Sequence, residues 1–215
     1  KAEDTGEALV LDARIEDKMD VTEITIYTAD HPGLFSRIAG AMAVSGANIV
    51  DAKIFTTTNG MALDIFSIQD SRGKAFVETS SLTRLKAHIE RTLTGEINVS
   101  EVLDKAPLLS LRTSVFKVPP RVLINNSASL THSLVEINAR DRAGLLHQVT
   151  RALTQIGLQI SSALVTTYGE RAVDVFYVKD TFGMQVTHEE KLAQIRKSVL
   201  GVIIETEGVS DQMVV

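Results

Sequence analysis

Polar and apolar residues alternate through Thr22-Glu23-Ile24-Thr25-Ile26-Tyr27-Thr28, the period-two pattern of a half-buried strand. The pattern runs into Asp30-His31-Pro32-Gly33. Beyond it Leu34, Ile38 and Met42, with Phe35 and Ala41, fall at helical spacing up to a stop at Gly46. Two stretches rich in β-branched and apolar residues follow, 48–57 and 61–70, joined at Asn59-Gly60 by a strong hairpin signal. Leu82, Leu85, Ile89 and Leu93 then form one apolar stripe on a charged helix that ends at Gly95. The predicted order is strand, helix, strand, strand, helix.

The series returns further along the chain. Asp30-His31-Pro32-Gly33-Leu34-Phe35 is matched by Asp141-Arg142-Ala143-Gly144-Leu145-Leu146, 111 residues later (141 − 30), and Gly46-Ala47-Asn48-Ile49 by Gly157-Leu158-Gln159-Ile160. Beyond Ile49 the match continues at a spacing of 110, Thr56-Thr57-Thr58 falling on Thr166-Thr167-Tyr168 and Asp64-Ile65-Phe66 on Asp174-Val175-Phe176. This places one extra residue in the second strand of the first copy. The second copy predicts a strand over 132–139, a helix over 144–156 and strands over 158–167 and 171–180. A last helix has Leu192, Ile195 and Val199 on one face, behind a capping box at Thr187-His188-Glu189-Glu190. A period this long marks a small domain duplicated and fused, not a solenoid.

Each unit needs a fourth strand to close its sheet. Pro107, Pro119 and Pro120 punctuate the stretch between the copies, where Val115-Phe116 and Val122-Leu123-Ile124 are expected to supply it for the first unit. Val202-Ile203-Ile204 is expected to do the same for the second. The expected fold class is α+β: two ferredoxin-like βαββαβ units, with antiparallel sheets and helices on one face. Residues 1–20 form an N-terminal strand or linker, 21–105 the first domain, 106–131 the connector and 132–208 the second domain.

Composition narrows the partners. Acidic residues outnumber basic ones 27 to 22 over 215 residues, a net charge of −5, so no positive field exists to hold a nucleic acid or an anionic membrane. The stacking aromatics of an RNA-binding ferredoxin-like domain are missing as well. Absence of cysteine removes disulfides, thiolate catalysis and zinc–thiolate sites, and fits a cytoplasmic protein. The longest apolar stretch, Ile38 to Val50, is broken by Gly, Ser and Asn and is too short for a membrane span. The N-terminus is acidic and polar, unlike a signal peptide, and its start at Lys1 is expected of a piece of a longer protein.

The repeated loop carries the candidate chemistry. Gly33 and Gly144 stand where a strand turns into a helix, and lacking Cβ they let a ligand or another backbone come close. The N–H groups of that helix start favour an anion such as a carboxylate. Asp30 and Asp141, one turn earlier, can accept hydrogen bonds from an ammonium group, and the amides of Asn48 and Gln159 open the neighbouring strand with both donor and acceptor. Together these groups suit a zwitterionic amino acid. A plain turn explains the same residues, with Asp as an N-cap and Gly as a turn residue.

Asp-His-Pro-Gly-Leu-Phe before a helix, then Gly-Ala-Asn-Ile and a hairpin, resembles an ACT domain, the amino-acid-sensing module of metabolic enzymes. The likeness extends through Gly40-Ala41-Met42, Ile54-Phe55-Thr56-Thr57, Gly60-Met61-Ala62-Leu63-Asp64, the run Thr167 to Val178, and Pro119-Arg121-Val122 and Asn126 in the connector. From about Val21 to about Leu200 the chain is similar to the C-terminal tandem ACT region of the bacterial PII uridylyltransferase/uridylyl-removing enzymes. That resemblance implies glutamine as the ligand and an allosteric role, acting with the parent chain's catalytic domains on the PII signal protein. It implies ligand contacts at Asp30, His31, Pro32, Gly33 and Leu34 beside Asn48 and Ile49, and at Asp141, Ala143, Gly144 and Leu145 beside Gln159 and Ile160. Ala143 replaces the usual proline, which loosens the second turn, and Gln159 is longer than Asn48, so two sites of unequal affinity or a single working site are expected.

No catalytic residue is expected in this portion. It has no Gly-Ser with Asp-x-Asp for a nucleotidyltransferase metal site, no hydrolase His-Asp pair and no Gly-x-x-x-x-Gly-Lys loop. Catalysis, with the Mg2+ of the parent enzyme, is expected upstream, and no cofactor or metal in this portion. His31, His88, His132, His147 and His188 never fall at metal-ligand spacing with a carboxylate, and His31 alone lies in the candidate loop. Asp64 and Asp174 recur between apolar neighbours in a strand and are expected on a solvated sheet face or an interdomain contact. The strand over 49–57 is expected to pair edge to edge, within the chain or across a homodimer. A free-standing ACT-repeat regulator and a purely structural dimerisation module are the alternatives.

Overall fold

Strand β1 (Leu9–Glu16) turns back through residues 17–20 onto β2 (Val21–Ala29), with Leu9 opposite Thr28 and Glu16 opposite Val21. The computed structural model that shows this describes residues 9–105, 119–168 and 171–211. Helix α1 (Leu34–Val44) follows, then the hairpin of β3 (Asn48–Thr56) and β4 (Met61–Gln69), then α2 (Thr79–Leu93) and a short α3 (Val99–Lys105) that the sequence pattern does not announce. Strand order is β1-β2-β4-β3, antiparallel at each step. β4 inserts between β2 and β3, as a split βαβ requires. The chain divides at 105/106 into two units.

The second unit repeats this plan with β5 (Arg121–Asn125), β6 (Ser133–Arg140), α4 (Leu145–Gln155), β7 (Gln159–Tyr168), β8 (Arg171–Lys179) and α5 (Glu189–Asp211). Its strands run β5-β6-β8-β7. The fold is α+β with antiparallel sheets, but the strand completing each sheet precedes its unit instead of following it. Arg121 lies opposite Asn138 and Asn125 opposite Leu134, so β5 belongs to the second sheet and not to the first. Val115-Phe116 falls outside the described residues. Val202-Ile203-Ile204 is part of helix α5.

Both corrections have a local cause. A short turn closes a hairpin between neighbouring strands at small entropic cost, so each edge strand pairs with the strand that follows it. In α5, Ile195, Val199 and Ile203 continue one helical stripe, each at most 1% exposed, with no proline to break it. That helix begins at Glu189, so His188 flanks it, not the Thr187 of the expected capping box.

Register also relocates the extra residue of the first copy. β3 and β7 carry the same irregularity, between Ile49 and Asp51 and between Ile160 and Ser162, 111 positions apart. Thr56 lies opposite Ala62 and Thr167 opposite Ala172, so the 111 spacing holds to the end of the strand. The additional residue sits in the turn between Thr57 and Met61, where Gly60 adopts φ +78°. A run of threonines hid this in the sequence.

Each core lies between helices and one sheet face. In unit 1, Ile24, Ile26, Ala52, Phe66 and Ile68 face inward with Ile38 and Met42 of α1 and Leu85 and Ile89 of α2, and Phe35 of α1 meets Phe66 at 5.4 Å between ring centroids. Arg37 of α1 donates to the Leu93 carbonyl at 3.1 Å and to that of Thr92, placing a cation at the C-terminal end of α2. In unit 2, Val135, Ile137, Phe176 and Val178 meet Val149, Leu153, Ile195 and Val199.

Candidate functional site

β2 ends at Ala29 opposite Met61, and the next residue, Asp30, donates its N–H to the Gly60 carbonyl at 3.0 Å. The chain then reverses in four residues. Gly33 makes this possible at φ 85°, ψ 4°, left-handed values at which other residues are strained, and Leu34 N–H closes the turn on the His31 carbonyl at 3.1 Å. Gly33 is the N-cap of α1 and has no side chain with which to cap it. Gly144 takes φ 81°, ψ −2° and Leu145 N–H bonds the Arg142 carbonyl at 3.1 Å, so Ala143 leaves the turn in the conformation that Pro32 has in the first copy. Asp30 Oδ2 accepts a 2.7 Å hydrogen bond from Thr56 Oγ1, at the last residue of β3.

Beneath each loop lies a buried acid. Alternate residues of β4, Ala62, Asp64, Phe66 and Ile68, are all at most 1% exposed, which puts Asp64 on the core face with Phe66 and not on a solvated one. Phe66 touches Phe35 in the first turn of α1, and Asp64 is one pleat nearer the loop. Its cross-strand neighbours are Ile26 and Ile54, and neither Asp64 oxygen has a hydrogen-bond partner. Burial, reinforced by the carboxylate of Asp30, pushes the Asp64 pKa up to about 7. Asp174, 2% exposed between Ile137 and Val165, repeats the arrangement, with one oxygen unpartnered and the carboxyl accepting the Thr166 N–H. Burial and the charge of Asp141 push Asp174 to about 7 as well. Desolvation also raises Asp141, against the opposing N–H and charge of Arg142.

The expected site residues separate into two groups. Asp30, His31, Pro32 and Gly33 form the loop, with His31 Nδ1 3.2 Å from the Pro32 carbonyl. Leu34 and Leu145 are core residues, 4% and 3% exposed. Asn48 and Ile49 do not lie beside the loop of their own unit. Helix α1 carries the chain away from the loop, so β3 starts at the far end of the sheet, roughly 26 Å of strand from Thr56. There Asn48 lies opposite Gln69 and donates to the Asp70 carbonyl at 3.4 Å, while Ile49 is 7% exposed. Gln159 and Ile160 stand at the corresponding end of β7, opposite Lys179 and Val178. Asp141, Ala143 and Gly144 make the second loop.

The sequence pattern did not place Thr56 at the loop, and it expected Asp64 and Asp174 on a solvated face or an interdomain contact where the structure buries them. A signal existed for the two acids: both recur in step with the inward positions of Phe66 and Phe176. Among the described residues no three His, Asp or Glu side chains are grouped to hold a metal ion, and no helix is long and apolar enough to cross a membrane.

Two α+β units with split βαβ connectivity and a glycine loop over the start of the first helix are ACT domains, and residues 128–206 match the profile of the ACR family N-terminal ACT domain. Three curated relatives are bifunctional uridylyltransferase/uridylyl-removing enzymes. That of Azospirillum brasilense is 57% identical over 195 residues, 89% of this chain and 21% of the relative. That of Rhodospirillum rubrum is 48% identical over 207 residues, 96% and 22% of the two chains, and that of Gluconobacter oxydans 53% over 182 residues, 84% and 19%. The chain carries ACT domains and is similar to a stretch of the uridylyltransferase/uridylyl-removing enzymes. It spans about a fifth of the length of these relatives.

Proposed function

We propose that this chain is the amino-acid-responsive regulatory part of a cytoplasmic enzyme that attaches and removes uridylyl groups on the PII signal protein, with glutamine as its ligand. The observation that carries the reading is the duplicated loop: a helix start whose N-cap is a left-handed glycine, and an aspartate, repeated at Asp30–Leu34 and Asp141–Leu145. A carboxylate suits the positive end of each helix, and an ammonium suits the aspartate. The names of the relatives supply the activity that such a ligand would govern. Regulation requires only that glutamine bind two states of the protein unequally, by about 1–3 kcal/mol.

Isothermal calorimetry of the chain against glutamine, with glutamate and asparagine as controls, tests the reading. Saturable heat for glutamine alone is expected, and its stoichiometry counts the working loops. Heat for none of the three would overturn it.

A further inference from the structure

We propose that Asp64 and Asp174 form the floor of the two ligand sites, each accepting a hydrogen bond from the ammonium group of the bound amino acid together with Asp30 or Asp141 above it. This rests on the amino-acid-binding reading and deepens it. It assigns the recognition of the ammonium group to residues outside the loop and adds a proton to the binding equilibrium.

The first ground is an unmet requirement. A buried polar group normally finds a partner, yet Asp64 is 1% exposed with both oxygens unpartnered, and Asp174 is 2% exposed with one. A structural acid would be expected to cap the helix start nearby, but both N-cap positions are glycines and neither oxygen of Asp64 has a partner. Position is the second ground. Each acid sits on the core-facing parity of its strand, between the aromatic residue under the first helix and the end that meets the loop. Asp30 and Pro32 of the adjoining loop are exposed. Third, the arrangement occurs twice, and in each copy the loop aspartate acts on the floor acid.

The surroundings set the proton chemistry. Ile26 and Ile54 flank Asp64, α1 and α2 add Phe35, Ile38, Leu85 and Ile89 to the same core, and Arg37 turns away to the end of α2. Asp30 is the charge acting on Asp64, and His31 is the titratable neighbour in the loop. Asp174 lies between Ile137 and Val165 with Asp141 as the acting charge, and the helices of its unit carry the buried His147 on α4 and Ile195 and Val199 on α5. In such a place the carboxyl is protonated below about pH 7. An arriving ammonium favours the carboxylate, so the neutral acid gives its proton to solvent and keeps the ammonium as its ion-pair partner.

Calorimetric titration of the 215-residue chain with glutamine at pH 6.5, in phosphate and in imidazole, reads this directly. Those buffers differ in ionisation enthalpy, so the difference in heat counts protons. Release of about three-quarters of a proton per site is expected from an acid of pKa about 7. Asp64→Asn, close in shape and removing the charge, is expected to abolish release at one site and weaken it about tenfold or more, and Asp174→Asn likewise at the other. Tight glutamine binding without proton release by the unaltered chain, or binding and release unchanged in both variants, would overturn the proposal while leaving the amino-acid reading intact. Absence of glutamine binding by the unaltered chain would overturn both.

Discussion

The charge of Asp30, exposed in the loop before α1, acts on the carboxyl of Asp64, buried in β4, and helps to hold back its ionisation. Asp141 and Asp174 repeat the relationship in the other unit. Two acids kept in one small space are costly to a fold, since an unpartnered buried polar group loses roughly 2–7 kcal/mol of solvation. The cost falls where the loop chemistry is concentrated.

Stability is expected to fall as pH rises across the window set by these acids. Their folded pKa of about 7 lies above the ordinary 3.8, so between those values the folded state holds protons that the unfolded chain has lost. The favourable contribution is whole below about pH 4, declines as pH rises, and is lost above about pH 7. Urea midpoints at pH 5 and pH 8 measure it. Asp64→Asn and Asp174→Asn should flatten the dependence and stabilise the chain at pH 8 by on the order of 1 kcal/mol or more.

Gly33→Ala and Gly144→Ala should each cost about 1–2 kcal/mol, because both residues hold left-handed φ near +80° at a turn with no other freedom. Chemical denaturation of the two variants compares the loops. Similar losses are expected, since Ala143 and Pro32 support the same turn.

Thr56→Val removes the 2.7 Å hydrogen bond to Asp30 at an exposed position. Its effect on unfolding free energy should stay within about 1 kcal/mol. Glutamine affinity of the first site should drop severalfold in calorimetry, because Thr56 orients the carboxylate that we propose meets the ligand.

The turns after β4 and β8 separate framework from surface. Asp70 Oδ1 accepts the N–H groups of Arg72 and Lys74 at 2.8 and 3.0 Å, and Asp180 Oδ1 those of Phe182 and Met184 at 2.9 Å each. Asp180→Ala is therefore expected to cost about 1–2 kcal/mol in thermal or chemical unfolding. Phe182→Arg, which writes the first unit's residue into the second at a side chain 88% exposed, should change stability by less than about 0.5 kcal/mol.

Local pattern carried much of the architecture. Alternation over 22–28, the helical spacing of Leu34, Ile38 and Met42, and Asn59-Gly60 between two apolar runs each correspond to an element found in place. These signals are local because side-chain period and turn chemistry act over a few residues. Partner choice is different. Val122-Leu123-Ile124 reads as a strand in either unit, and only its register against β6 assigns it to the second. Val202-Ile203-Ile204 reads as a strand in isolation, yet burial of Ile203 beside Ile195 and Val199 makes it helix.

The candidate site divides along the same line. Sequence alone determined the duplicated Asp-x-x-Gly-Leu loop at a strand-to-helix junction, because glycine's left-handed freedom and the helix start are properties of consecutive residues. Tertiary structure decided that Thr56, and not Asn48, meets that loop, since α1 carries the chain to the far end of the sheet before β3 begins. It also decided that Asp64 and Asp174 point inward. Sheet parity and the helix packed above them set which face of a strand is dry, and that depends on contacts between residues far apart in the chain.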